Sequence, residues 1–366
     1  MFKQFLRWIF GKSLETDRLG DEKFNVFWGM PVLSSDAISS VAYAVEEMLY
    51  VLMPVVGIAS FIWMPKIAIT IILLLLILTF SYRHVVDAYP NGGGAYIVAK
   101  ENLGPLYGLI AGASLSVDYT LTVAVSICAG TAALISAIPG LFPHRVAISV
   151  IIIILLVIGN VRGIKESSRI FSIPTYAFIL AVIALVVFGI IKHATGNNPS
   201  VPDPSISHLT FGTQAVTLFL LLKAFASGCS ALTGVEAVSN AVPNFQDPAP
   251  QNAKHSYTLL VIAIIICFGG VAYLAKIYHA VPTPELTVMA QISLDVFGKG
   301  GMFYIIQAAT AIILAMAANT AFAGFPTLLS VIAQDGYAPR QMALRGHRLN
   351  FTNGITFLAI FAIILV

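Results

Sequence analysis

Long apolar runs, each near the roughly 20 residues a helix needs to cross a bilayer, alternate along this chain with short polar stretches. The runs predict spans from Asn25 to Met53, Pro65 to Val86, Pro105 to Ile135, His144 to Asn160 and Ile170 to Ile191. They continue from Gln214 to Asn240, Ser256 to Tyr278 and Met302 to Gln334. A ninth begins at Thr352 and is cut at Val366, before it could cross, so the sequence reads as a truncated or partial chain. Residues 1–24 form a separate polar and apolar lead-in, in which Arg7 and Lys12 interrupt an apolar run too short for a cleavable signal. That segment reads as a cytoplasmic amphipathic stretch on the membrane surface, and 25–366 as one transmembrane domain.

Composition settles the class. The chain is 58% hydrophobic and 10% charged, against about 25% charged residues in soluble domains. This predicts an all-α polytopic membrane protein. Lysine and arginine placement predicts its orientation. With the N-terminus inside, Lys23, Arg83, Lys100, Arg162, Lys165, Arg169, Lys254, Arg340, Arg345 and Arg348 fall on the cytoplasmic side, beside the basic lead-in. The outer segments hold Lys66, Arg145, Lys192, Lys276 and Lys299. The prediction is a cell-membrane protein with a cytoplasmic N-terminus and lipid around it. A net charge of +3 without a basic, aromatic-rich patch excludes nucleic acid as a partner. Cys128, Cys229 and Cys267 lie in apolar runs without metal-ligand spacing, and no nucleophile and base stand at workable spacing. Neither an enzyme nor a bound cofactor is expected.

Three acids break the apolar pattern inside spans: Asp36, Asp118 and Glu236. Lipid-exposed, they would cost roughly 8 to 10 kcal/mol together. Bases are nearly absent from the spans; Lys223 lies about two turns or more outward of Glu236. Unpaired acids invite a cation or a proton. Hydroxyls accompany each one: Asp118, Thr122 and Ser126 are spaced i, i+4, i+8, with Tyr119 beside them. Asp36 and Tyr43 are seven apart, and Thr233 and Glu236 three apart, on what the spacing reads as shared faces. Spans 1 and 6 are also interrupted, by Pro31 with the run Ser34, Ser35, Asp36, Ser39, Ser40, and by Gly228 to Gly234 around Ser230 and Thr233. Breaks five spans apart predict inverted five-span repeats with a site at the midplane, the second repeat being incomplete. Glu46 and Glu47 read as solvated groups or the lining of an outer vestibule, and Gly108 with Gly112 as a close helix contact. The loop YPNGGGAYIVAKENLGP from Tyr89 follows a span rather than a strand, so it reads as an interfacial turn, not a phosphate cradle.

That loop, NVRGIKES from Asn160, and ANTAFAGFPTLLSVIAQDGYAPRQM from Ala318 resemble the loop signatures of the amino acid, polyamine and organocation (APC) superfamily, over nearly the whole chain. The resemblance implies a LeuT-like fold. Amino acid carriers of that superfamily have a glycine-rich break in span 1 for the substrate carboxylate; here the stretch reads LSSDAISS, with an acid. In this respect the chain is similar to the KimA-type potassium importers, relatives of the KUP transporters. The resemblance implies potassium and proton sites at Asp36, Tyr43, Asp118, Tyr119, Thr122, Ser126, Thr233 and Glu236. Potassium would be held by Asp118, Thr122, Tyr43 and Thr233, with Asp36 and Glu236 as proton carriers. The expected activity is proton-coupled potassium import; an amino acid or polyamine permease is the alternative. The family's later cytoplasmic domain carries its dimer contacts and cyclic di-AMP binding, and neither is carried over to this shorter polypeptide.

Overall fold

The structure is a computed structural model; it describes residues 23, 25–90, 92, 94–161, 168–196, 212, 214–344 and 351–366, side chains 168–171 excepted. The lead-in except Lys23, and most of NVRGIKES, lie outside these residues. The described residues are helical: α1 (Val26–Ser39), α2 (Ala44–Val56), α3 (Ser60–Ala88), α4 (Ala95–Leu103), α5 (Pro105–Ala137) and α6 (Arg145–Val161). They continue with α7 (Ser168–Ala194), α8 (Leu218–Gly228), α9 (Ala237–Asn240), α10 (Ala249–Ile277), α11 (Val288–Phe297), α12 (Gly301–Gln334) and α13 (Thr352–Leu365). Among the described residues, seven stretches are long and apolar enough to cross a membrane. The first runs over 63 residues, Val26–Ala88, which at 1.5 Å per residue is about three bilayer cores. The chain turns within it at Gly57, whose φ of +57° ends α2 before α3 starts. Spans 1 and 2 are therefore both present, and α13 is a shorter apolar helix at the place of the ninth span.

Local chemistry sets the helix ends. Asn25 caps α1, its side-chain oxygen accepting the Trp28 N–H at 2.9 Å. Pro31 was expected to contribute to the break, but α1 runs through it. Proline denies the carbonyl four residues earlier its partner, and here the Tyr176 hydroxyl of α7 donates to that carbonyl, Phe27 O, at 2.8 Å. The true break follows Ser39. Ser39 and Ser40 both donate to the Asp36 carbonyl, at 2.7 and 3.2 Å. The chain tightens into a 3-10 turn at Ser40–Ala42 and leaves helical geometry at Tyr43 (φ −126°, ψ −20°). In span 2 the helix begins at Ser60, five residues before the expected start at Pro65, which the second turn accommodates.

Span 6 breaks more fully. Thr217 caps α8, and a 3-10 turn at Cys229–Leu232 leads to an extended Thr233 and to Gly234 at φ +78°. The four-residue α9 follows, held by Tyr257, whose hydroxyl accepts the Ser239 N–H at 3.0 Å. The two 3-10 turns touch each other. Around them α12 packs along α5, and α10 packs on α3 and α1. Large side chains such as Ile69, Leu73, Ile77 and Phe80 of α3 point outward, as a lipid-facing surface requires.

Two short helices were not foreseen. The glycine-rich loop leads into α4, which lies against α5 where Gly108 and Gly112 meet Lys100 and Tyr96; the pair is a close helix contact within the chain. On the opposite face α11 is held at both ends by side-chain hydrogen bonds to its free backbone groups. Glu46 accepts the Val288 N–H at 3.1 Å, and Lys192 donates to the Asp295 and Val296 carbonyls at 2.6 and 3.3 Å. Glu46 is thus buried, at 8% exposure, rather than solvated. The face carrying Asn25 is stitched by the ion pairs Lys100–Asp335 (2.6 Å), Lys23–Asp247 (3.6 Å) and Lys254–Asp87.

Candidate functional site

The two breaks cross in the middle of the bundle, and the unusual polar residues gather there. Asp36 sits in the last turn of α1, 5% exposed, with its Oδ1 buried and without a hydrogen-bond partner. Its side chain presses on Gly234. A Cβ at that glycine would stand 2.7 Å from Asp36 Cβ and Oδ2, and its φ of +78° already favours glycine. Glu236, two residues on, is also buried, and its carboxyl folds toward the backbone N–H groups of Gly234 and of its own residue.

Asp118 is half-buried on α5, with Thr122 and Ser126 buried below it on the same stripe. Ser126 Oγ has no hydrogen-bond partner. Asp36, Asp118 and Glu236 lie within electrostatic reach of one another. Among the described residues no base pairs with any of them; Lys223 is exposed on the outer side of α8. The carboxylates are neighbours but do not converge on one point, since no group of three His, Cys, Asp or Glu among the described residues could hold a metal ion.

The face-sharing expected from spacing fails at the breaks and is replaced by direct bonds. Asp36 and Tyr43 are not on one helix stripe, because the helix ends between them. Ser40 joins them: its hydroxyl lies 3.2 Å from Tyr43 Oη and from the Asp36 carbonyl. It also lies 3.4 Å from Thr233 Oγ1, which donates to Ser230 O at 2.9 Å. Each hydroxyl has one proton. With Thr233 giving its proton to Ser230 O and Ser40 giving its own to Thr233 or to the Asp36 carbonyl, Tyr43 must donate to Ser40. The chain of donors then runs one way from Tyr43, leaving lone pairs on Tyr43 and Thr233. Thr233 and Glu236 are likewise parted by the extended turn at Gly234.

Tyr119 stands next to Asp118 and fits a notch on α12: a Cβ at Gly324 would lie 2.8 Å from its Cζ and Oη. Ser40, Gly324 and Tyr257 were not expected in the site. Ser40 was visible in the polar run of span 1, whereas Gly324 and Tyr257 gave no local signal.

Two cavities approach the crossing from opposite sides. One, of about 410 Å³, opens near the Gly92–Tyr96 loop and reaches Asp36, Tyr119 and Glu236. The other, of about 370 Å³, reaches Thr287 at the start of α11 and is lined by Tyr43, Glu46, Glu47 and Tyr50. Asp36 borders the first and Tyr43 the second, with Ser40 between them.

The arrangement of two broken spans around buried polar groups invites comparison with known transporters. The family profile described as amino acid permease matches residues 27–366. The chain belongs to the amino acid permease family. Within reach of this family, it is 45% identical to the potassium transporter KimA of Bacillus subtilis over 368 residues, covering 100% of this chain and 60% of that protein. It is 22% identical over 274 residues to the low-affinity putrescine importer PlaP of Escherichia coli, covering 73% of this chain and 58% of the relative. It is 29% identical over 172 residues to a probable potassium transport system protein, Kup 1, of a Bradyrhizobium species, covering 43% and 28%. The chain spans about 60% or less of the length of these relatives. As a member of the amino acid permease family it is a multi-pass membrane protein.

Proposed function

We propose that this chain is a secondary-active potassium importer, coupled to protons, in the cell membrane with its N-terminus in the cytoplasm. The observation that carries the reading is Asp36: a buried carboxyl with one unpartnered oxygen, pressed onto the unwound turn of span 6. A buried unpaired acid is costly in a membrane, and a cation or a proton offsets that cost. Potassium would sit between spans 1, 3 and 6 on Asp118, Thr122, Tyr43 and Thr233, with Tyr119 and Ser126 alongside. The donor chain from Tyr43 supports this, since it leaves lone pairs on Tyr43 and Thr233. Asp36 and Glu236 would carry the coupled proton; protonating either in the inward-facing state would remove a charge beside the cation, lower its affinity there and release it inward. Rocking of two inverted repeats would open the two cavities in turn. Residues 25–366 act in this reading as one transport domain, and 1–24 as a cytoplasmic lead-in. The likeness to KimA supports potassium as the substrate, and the role is transport rather than catalysis.

The second reading, an amino acid or polyamine permease, is favoured by the likeness to PlaP. The acid in the span 1 break opposes a substrate carboxylate but tolerates a polyamine. Rubidium uptake into liposomes with an imposed pH gradient tests both. Potassium–proton symport predicts uptake that rises with an inward proton gradient and resists excess putrescine. Uptake indifferent to the gradient would contradict coupling, and displacement by putrescine would favour the polyamine reading.

A further inference from the structure

On the N-terminal face, Arg83 and Asp87 near the end of α3 meet Lys254 near the start of α10. Lys254 takes both carboxylate oxygens of Asp87. Arg83 is left over: it is exposed, and among the described residues no carboxylate pairs with it. Its guanidinium is instead held across the helix pair, Nη1 donating to Thr258 Oγ1 at 2.9 Å. Thr258 gives its own proton to the Lys254 carbonyl at 3.0 Å, so toward Arg83 it only accepts. Arg83 stands five residues before the end of α3 at Ala88, roughly 7.5 Å along the axis, so this fixed cation lies at the edge of the apolar span. From there the two helices form one outward seam. It runs from the Asp87–Lys254 pair to Ile72, which meets Gly269, roughly 22 Å of helix axis. That exceeds the hydrocarbon depth of one leaflet, about 15 Å as half of the bilayer core. Leu76 and Ile262 continue the lines of Arg83 and Thr258 by helical spacing, and these two, with Phe80 and Leu259 beside them, are exposed. Behind the seam Tyr82 of α3 stacks on Tyr257 of α10, ring centroids 5.8 Å apart, and this is the Tyr257 that holds α9.

We propose that the α3–α10 seam seats one phospholipid with an anionic headgroup, drawn from the leaflet at the N-terminal face. The planar fork of Arg83 takes the phosphate through paired N–H···O bonds, and an acyl chain lies along Leu76, Phe80, Leu259 and Ile262. Charge decides the occupant. The apolar lip alone accepts any lipid, whereas Arg83 is a cation without a carboxylate, held in place by Thr258. A zwitterionic headgroup brings its own ammonium beside the phosphate and gains less from Arg83. Arg83 and Thr258 are the chain neighbours of Tyr82 and Tyr257, so a bound lipid clamps the helix pair that supports α9. The proposal holds whatever substrate the chain carries.

The test uses the whole chain in a neutral detergent, titrated with dioleoylphosphatidylglycerol or with dioleoylphosphatidylcholine, whose acyl chains are the same. Glycerol 1-phosphate is the water-soluble competitor. Native mass spectrometry reads the first lipid-binding constant and the oligomeric state, and hydrogen exchange locates the lipid. Phosphatidylglycerol is expected to bind about fivefold or more tightly than phosphatidylcholine, as one basic residue facing an anionic lipid implies. Glycerol 1-phosphate should not displace it at concentrations where the lipid saturates. Arg83→Gln should abolish the preference between the two lipids, and Arg83→Lys, which keeps the charge but not the fork, should retain part of it. Arg340→Gln removes a charge beside α12 and α13, away from the seam, and should leave the preference within about twofold of the parent, on the scale of a weak surface effect. The lipid should slow exchange across residues 250–262 in the parent and not in Arg83→Gln. Equal affinity for the two lipids, an equal loss in Arg83→Gln and Arg340→Gln, or protection away from the seam would overturn the proposal. Displacement by glycerol 1-phosphate at matching concentration would make this a site for soluble phosphate, and dimers that Arg83→Gln dissociates without lipid binding would give the face to a second copy; either result also overturns it.

Discussion

Replacing Gly234 by alanine strains the crossing of the two breaks at a single methyl group. The backbone there has φ +78°, a left-handed conformation that costs an L-residue about 1–2 kcal/mol. The new Cβ would stand 2.7 Å from Asp36 Cβ and Oδ2 and 2.8 Å from its Cγ, well inside the optimum of about 3.5–4.0 Å. Overpacking of this kind adds about 1–3 kcal/mol, for a total of about 2–5 kcal/mol. Gly336, in the left-handed turn that ends α12, provides the control: its φ is +86°, but a Cβ there would meet nothing within 4 Å. Gly336→Ala therefore carries backbone strain without a contact, and the difference between the two variants reports the contact with Asp36. The assays are thermal unfolding of each variant in lipid and half-saturation of rubidium uptake. Gly234→Ala should unfold at a clearly lower temperature than Gly336→Ala. Its rubidium half-saturation should rise more than tenfold if as little as about 1.4 kcal/mol of the strain falls on the bound state. Equal unfolding temperatures with unchanged uptake would refute the reasoning, because they would show that Asp36 does not press on the break.

Further outcomes follow from single contacts. Ser40→Ala removes the hydroxyl between Tyr43, Thr233 and the Asp36 carbonyl; at about 0.5–1.5 kcal/mol for a hydrogen bond, rubidium half-saturation should rise about two- to twelve-fold, and no change would mean the link is incidental. Gly324→Ala should displace Tyr119, whose ring atoms would lie 2.8 Å from the added carbon; uptake should fall, and uptake at the parent rate would show that the notch has no bearing on transport. Glu46→Ala leaves the Val288 N–H without its acceptor, which should destabilise the protein by about 1–3 kcal/mol, while Glu46→Gln, keeping a carbonyl acceptor, should recover most of the loss in thermal unfolding. The Asp335 carboxyl is held below its usual range by hydrogen bonds from Lys100 and Tyr96. Its contribution is complete above the unfolded value of about 3.9 and is lost only as pH falls through the lower folded value. Protection of the α4 backbone from hydrogen exchange, corrected for intrinsic rate, should thus be flat between about pH 5 and 8, and a fall within that range would contradict the assignment.

The spans were legible because a bilayer demands long apolar stretches, and the chain supplies them with few interruptions. The breaks were legible for the same reason: Ser34 to Ser40 and Gly228 to Gly234 place polar and flexible residues where a crossing helix has none to spare. What periodicity could not show is how the chain proceeds once helical geometry stops. Counting i to i+7 placed Tyr43 above Asp36, but the helix ends at Ser39, and Ser40 makes the connection instead. Proline misled twice, at Pro31 and Pro65, because its effect depends on what meets the carbonyl it leaves free. At Pro31 that is Tyr176, distant in sequence. The short helix α11 has a cap at Thr287 and apolar residues at Val288, Ile292 and Val296, a weak signal that ten residues could not raise above that of a loop. Gly324 and Tyr257 act across space on Tyr119 and Ser239, and no spacing within their own helices announces it.

The central claim is that Asp118 of α5, with Asp36 and Glu236 at the two breaks, forms a cation site. Its most direct test is rubidium uptake by cells that lack their own potassium importers and express either this chain or its Asp118→Asn variant at equal membrane levels. The account predicts uptake by the parent and its loss in the variant. Equal uptake by both would contradict it.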